Sequence, residues 1–572
     1  MPDLSAIPPY APRSFVPAGA DLADPTAVTA LYERLIARPI ACAADLAAWL
    51  RDRSELDAAV DQCRSILYIR MTCQTDDPAR AEAYKQFIET IDPAVAPLTD
   101  RLDRKFLEAR RTHAAGDRRL DVYARGLEAD VRLFRDENVP LKTEESLLSQ
   151  EYQAVIGAMS VTFEGRECTL PEMDKVLLDP DRARREAAWR ATAARRLADR
   201  DRLDDLFEKM LSVRRRMAAA ADCRDFTEFQ FLAFHRFDYT PDHCRAYHEA
   251  AARCVVPLWK NLLEDRRRRM GVDRLRPWDV AVDPEGRPPL APFETAEQLS
   301  SRAAEVFRRI DPALGEQFAG MVAAGLLDLA SRKGKAPGGY QATLAEARRP
   351  FIFMNAVGTD GDVRTLLHEG GHAFHTIAAA GEELLAYRHA PMEFCEVASM
   401  AMELLADRRL DVFYGPEDLC RSSRLHLEDV VKLLPWIATV DAFQHWIYSH
   451  PGHTRADRQA AWLETYGRFS GGLVDWTGLE AERAAMWHRQ LHIFEYPFYY
   501  IEYGIAELGA LQLWVRALKD PAAALADYKK ALALGGSRPL PDLFAAAGLT
   551  FDFSEATIAP LARAVTDELA KL

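Results

Sequence analysis

The chain has 572 residues, 49% of them hydrophobic and 28% charged, with nine cysteines and a formal net charge of −14. This is a globular composition, long enough for more than one core, and its negative balance argues against nucleic acid as the main partner, because phosphate binding needs a positive field. The opening MPDLSAIPPYAPRSF has no basic region followed by an apolar stretch, no window approaches 18 uninterrupted apolar residues, and the cysteines lie scattered without a CxxC pair, so the expectation is a soluble, cytoplasmic chain with no membrane partner and with buried thiols.

A helical period dominates the first half. Leu31 and Leu35, then Leu46 and Leu50, recur at spacings of four, and Asp77 followed by Pro78 reads as a cap and the first position of another helix. Further helices are expected over about 180–220, 240–270 and 296–330, with proline-bearing connections such as DPEGRPPLAPFETAEQ between them. The arginine runs VRRRM (213–217) and EDRRRRM (264–270) lie in helical pattern beside acids and read as solvated helix faces. Two β-type runs follow, 338–344 and 350–356, rich in aromatic and branched residues and bounded by glycine and proline. Thr359, Asp360 and Asp362 then offer N-caps for a helix carrying LLHEGGHAFH at 366–375.

That decapeptide holds the chemistry. His368 and His372 are four apart, so on a helix both imidazoles leave one face and can meet one cation, while Glu369 lies beside that face, where its carboxylate can take a proton from water. Imidazole suits Zn²⁺, and a catalytic zinc takes three protein ligands and leaves a position open. Gly370 and Gly371 each cost a helix about 1 kcal/mol; they are expected to let a strand or a substrate approach closely. In LAYRHAPMEFCEVASMAMELLADRR the candidate third ligand is Glu396, with Glu393 as the competitor, better read as a surface charge. Glu403, seven residues on and on the same helical face, could hold a ligand imidazole by its other nitrogen. Downstream, WHRQLHIFEYPFYYIEYGIAELGALQLW places His492 and Tyr496 in a loop leading into a helix whose first turn takes Pro497, with Tyr499, Tyr500 and Tyr503 following. So many polar tips need partners, and an active-site wall is one place for them.

These segments, together with RLRPWDV (274–280), SRKGKAPGGYQATL (331–344), PFIFMNAVGTDGDVRTLLHEGGHAFH (350–375), PMEFCEVASM (391–400), HIFEYPFYYIEYG (492–504) and GGSRPLPDLF (535–544), resemble the oligoendopeptidase F family, in the thimet-oligopeptidase-like group of zinc metallopeptidases. The resemblance is strong over roughly 200–545. It implies a mostly α fold, two helical lobes enclosing a deep substrate cleft with a small β-sheet next to the HExxH helix, divided as an N-terminal helical lobe (1–190) and a catalytic metallopeptidase domain (191–572). It further implies one Zn²⁺ per chain on His368, His372 and Glu396, Glu369 as general base, Glu403 behind a ligand, and Tyr496, Tyr503 and His492 as catalytic donors. Short peptides are the implied substrates, cleaved internally. From the residues themselves, the peptide is expected to add along the exposed edge of the 350–356 strand. The alternatives are a zinc carboxypeptidase, which would need a cation such as the arginines at 266–269 or Lys333 near the terminal carboxylate, and a non-catalytic peptide binder, for which Glu369 would have no use. Oligomeric state is open.

Overall fold

A computed structural model describes residues 4–114 and 116–572, and the chain is mostly helical with two small sheets. It forms two compact units, each drawn from three separate stretches. The first comprises Met1–Arg132, Ala291–Leu419 and Gly509–Phe551; the second comprises Leu133–Leu290, Cys420–Leu508 and Asp552–Leu572. Neither coincides with residues 1–190 or 191–572, because compactness follows which segments share a core and the chain leaves and re-enters each core twice.

In the first unit, helices Pro25–Ala37, Ala43–Cys73 and Pro78–His113 bury Leu31, Leu35, Leu46 and Leu50 in one apolar cluster. Asp77 accepts hydrogen bonds from the Ala79 and Arg80 amides, and Pro78 takes the first helical position, where its missing N–H costs nothing. The expected helix over 296–330 is two helices and a strand: Ala296–Ile310 stops at Asp311, which caps Pro312–Ala323, and the chain then enters strand Leu327–Ala330. This strand pairs parallel to Arg349–Ala356, whose other side pairs antiparallel to Tyr340–Leu344. The 349–356 strand is therefore central and has no exposed edge, contrary to the expectation for 350–356. Its continuous burial from Pro350 to Met354 is the mark of a strand covered on both faces. The outer side of Tyr340–Leu344 pairs with no strand among the described residues.

In the second unit, the expected 180–220 helix is broken at Asp199 into Arg182–Ala198 and Arg200–Ala220. Residues 241–269 run as Pro241–Ala250, a π-helical turn Ala251–Val255 and Val256–Arg269. Pro257 has no N–H for the carbonyl four residues back, which accounts for the wider turn. A hairpin the sequence reading missed pairs Ser160–Phe163 with Arg166–Thr169 through Glu164 and Gly165, both at positive φ as a two-residue turn requires. Arg214 departs from the solvated-face expectation: it is fully buried, donating to Glu145 Oε1 at 2.7 Å and to the Tyr448 hydroxyl at 2.9 Å. The nine cysteines are all free, with Cys42 exposed and four buried.

Candidate active site

The HEGGH segment lies on helix Asp360–Ala378 of the first unit. Its start is fixed by a reciprocal box in which the Thr359 hydroxyl meets the Asp362 amide and the Asp362 carboxylate accepts from the Thr359 amide. Helix Met392–Ala406 packs across it. The glycines explain how closely. A Cβ on Gly371 would stand 2.5 Å from the Ala398 carbonyl oxygen and 2.6 Å from Ser399 Cα, and one on Gly370 would meet the Phe307 ring at 2.6 Å. What they admit is the neighbouring helix backbone and an aromatic ring, neither a strand nor a substrate.

This approach carries Glu396 to the imidazoles. Glu396 Oε2 lies 3.4 Å from His368 Nε2 and 3.7 Å from His372 Nε2, and donor atoms of the three residues lie within 4.8 Å of one another. The His368 and His372 rings stand nearly perpendicular, 4.9 Å apart. His368 Nδ1 donates to Glu403 Oε1 at 2.8 Å, which fixes the tautomer and turns Nε2 toward the other two donors. Ser399, which the sequence reading missed although it lies one turn beyond Glu396, donates to Glu396 Oε2 at 3.1 Å. Glu393, expected at the surface, is buried but outside this donor group.

Burial opposes charge on His368, but its bonds to Glu396 and Glu403 outweigh that and hold it well above the usual histidine value. Burial pushes His372 down to about 4. Glu396 is also buried, yet the bond from His368 keeps it below its ordinary value. Glu369 sits beside the group with burial raising it to about 7, and its Oε2 is buried with no hydrogen-bond partner among the described residues. Two imidazoles and a carboxylate converging, one imidazole backed by a second carboxylate, is a donor set that fits Zn²⁺. The orphaned oxygen of Glu369 awaits a donor such as water.

The remaining predicted residues form a separate cluster in the second unit. Here the expected loop is a short helix, Leu491–Glu495, which carries His492; Tyr496 ends it, and the next helix starts only at Ile501, so Pro497 lies in a turn. The delay has a local cause: Phe498 sits at φ 67°, with its amide held by Gln444 Oε1 at 3.1 Å. The His492 ring lies 4.8–6.3 Å from the rings of Tyr496, Tyr499, Tyr500 and Tyr503, and Tyr496 is half exposed. Trp436 Nε1–H donates to Gln490 Oε1 at 3.2 Å, which leaves the Gln490 amide nitrogen to donate to His492 Nδ1 at 2.9 Å. His492 therefore carries its proton on Nε2. Burial lowers it to about 4, so near pH 7 it is a neutral donor.

The chain matches Peptidase family M3 over residues 176–562 and the peptidase M3 N-terminal domain over 22–134. It belongs to peptidase family M3 and is a peptidase. A solved structure assigned as oligoendopeptidase F is 29% identical with a TM-score of 0.89, the match covering 98% of this chain and 99% of that one. Pz peptidase A, solved with an inhibitor, is 27% identical with a TM-score of 0.88 over 98% and 99%. Oligopeptidase PepF of Bacillus subtilis (strain 168) is 26% identical over 250 residues, spanning 41% of this chain and 36% of that relative. No helix among the described residues is long and apolar enough to cross a membrane.

Proposed function

We propose that the chain is a zinc metalloendopeptidase that hydrolyses internal bonds of short peptides by direct attack of water. The observation that carries this is the convergence of His368, His372 and Glu396 beside a buried carboxylate, Glu369, whose Oε2 has no hydrogen-bond partner among the described residues. Zinc held by the three residues would supply Lewis-acid polarisation of the scissile carbonyl and acidify the attacking water. Glu369 takes the proton from that water and returns it to the leaving amine, a shuttle that suits a carboxyl raised toward neutrality. Glu403 and Ser399 hold a ligand imidazole and the ligand carboxylate in orientation. The unpaired side of strand Tyr340–Leu344 is the edge to which a peptide main chain would add, a mode that reads backbone and tolerates many side chains. Tyr496, Tyr503 and the neutral Nε2–H of His492 are the proposed donors to the developing oxyanion. We further propose that the enzyme works in the cytoplasm. The similarity to a structure assigned as oligoendopeptidase F favours internal cleavage over carboxypeptidase trimming.

Glu369→Gln tests the reading. It should keep one zinc per chain and the fold, and lose at least about 10²-fold in kcat on an internally cleaved peptide blocked at both ends. Near-normal turnover by a zinc-loaded Glu369→Gln chain would remove the mechanism, and cleavage abolished by C-terminal amidation would hand the case to a carboxypeptidase.

A further inference from the structure

The second unit holds another convergence of metal-ligating side chains, built on the same spacing logic as the first. Cys244 and His248 are four apart on helix Pro241–Ala250, and Asp441 and His445 are four apart on helix Pro416–Ser449. Each pair thus shares one helical face. Donor atoms of Cys244, Asp441 and His445 lie within 4.8 Å of one another. Cys244 and Asp441 are completely buried.

Asp441 Oδ1 is buried with no hydrogen-bond partner among the described residues, and buried His445 Nε2 has only the long 3.4 Å approach to Asp441 Oδ2. Each is an atom a metal would use. The other carboxylate oxygen is occupied, with Asp441 Oδ2 2.7 Å from His248 Nε2 and 3.4 Å from His445 Nε2. Since a carboxylate only accepts, His248 must carry its proton on Nε2, and it acts as the outer partner that orients a ligating carboxylate. Among the described residues the ion-pair partners of Asp441 are these two imidazoles alone. The Phe231 and Phe498 rings flank His445 at centroid distances of 6.3 and 5.0 Å, which leaves an apolar wall. A buried carboxylate needs pairing, since leaving it unpaired costs several kcal/mol, and the imidazoles of His248 and His445 are the groups that face Asp441. A divalent cation that displaces the Cys244 proton gives thiolate, carboxylate and dication, whose charges sum to zero.

We propose that Cys244, Asp441 and His445 form a second cation site, which takes Zn²⁺ through sulfur, oxygen and nitrogen and ties helix Pro241–Ala250 to helix Pro416–Ser449. Mixed thiolate and imidazole ligation selects zinc over the hard cations magnesium and calcium. Binding releases the thiol proton, so occupancy falls as pH falls. The site stands independently of the reading given for His368, His372 and Glu396.

Cobalt(II) distinguishes the two, because only the second contains sulfur. The full-length chain carrying His368→Ala and His372→Ala, loaded with Co²⁺ alone, should bind about one ion per chain and display a thiolate-to-cobalt charge-transfer band in the near ultraviolet. Adding Cys244→Ser should abolish the band and the bound ion. Should that triple variant fail to fold, the same band is sought in the otherwise unaltered chain, where the first site can contribute none. A folded double variant that binds no cobalt, or binds it without the thiolate band, overturns the proposal.

Discussion

Gly371→Ala isolates the contact on which the first site depends. In an unconstrained helix the change would gain about 1 kcal/mol of helix propensity. Here the new methyl would stand 2.5 Å from the Ala398 carbonyl oxygen and 2.6 Å from Ser399 Cα, where ordinary contact begins at 3.4 Å. Those are backbone atoms in the middle of helix Met392–Ala406, so no rotamer change relieves the clash, and the two helices must separate by roughly 1 Å. Overpacking of this kind costs about 1–3 kcal/mol, and a rigid backbone neighbour puts it at the upper end. The net expectation is a loss of about 1–2 kcal/mol despite the better propensity. Glu396 lies two residues before Ala398, so the same displacement moves the third donor away from His368 and His372. Zinc affinity should fall about 10- to 100-fold, the scale for disturbing ligand orientation. Gly370→Ala is the control. It meets the far end of the Phe307 ring at 2.6 Å, and that ring, packed edge-on against Phe374, can tilt, so the loss should be smaller. Urea unfolding with chelator present reads stability without metal linkage, and a competition titration reads zinc affinity. A Gly371→Ala chain as stable as the parent, with unchanged zinc affinity, would refute the close-approach argument.

The parent chain should keep about one zinc through dialysis and Glu396→Ala should lose most of it, read by metal analysis; tight stoichiometric binding by this variant would move the third ligand elsewhere. Tyr496→Phe or Tyr503→Phe should lower kcat about 10²-fold with KM little changed if the hydroxyl serves the oxyanion, whereas unchanged kcat in both leaves His492 as the remaining donor. Acid stability should report Asp328: burial pushes it up, but hydrogen bonds from Arg332, the Cys73 thiol and Lys335 outweigh that and hold it down to about 2. A depressed carboxyl contributes stability above its unfolded pKa of about 3.9 that is lost as pH falls through its folded value. Asp328→Asn should therefore flatten the fall in unfolding free energy between about pH 4 and 2, and an unchanged slope there would place the acid-sensitive groups elsewhere.

Features that depend on neighbours along the chain were legible in the residues. Helical period put His368, Glu369 and His372 on one stretch of helix, and the same period put Glu396 and Glu403 on one face of another. Asp77 with Pro78 and Thr359 with Asp362 marked helix starts, because a cap is satisfied within three residues. The remaining points emerge only on folding, since each depends on a contact between distant segments. The division into units that each gather three stretches has no local signature, nor has the pairing of Leu327–Ala330 with the 349–356 strand, which removed the expected exposed edge. Apolar content announced a buried strand at 350–356 but not which strands would flank it. The glycines were visible as a cost to the helix; only packing disclosed that the compensation is a neighbouring helix carrying Glu396. Burial of Glu393 and Arg214 was likewise hidden, because charge alone predicts exposure and only a specific partner reverses it, as Glu145 does for Arg214. Cys244 and Asp441 lie almost 200 residues apart in the sequence, and no spacing along a chain can announce two helices meeting face to face.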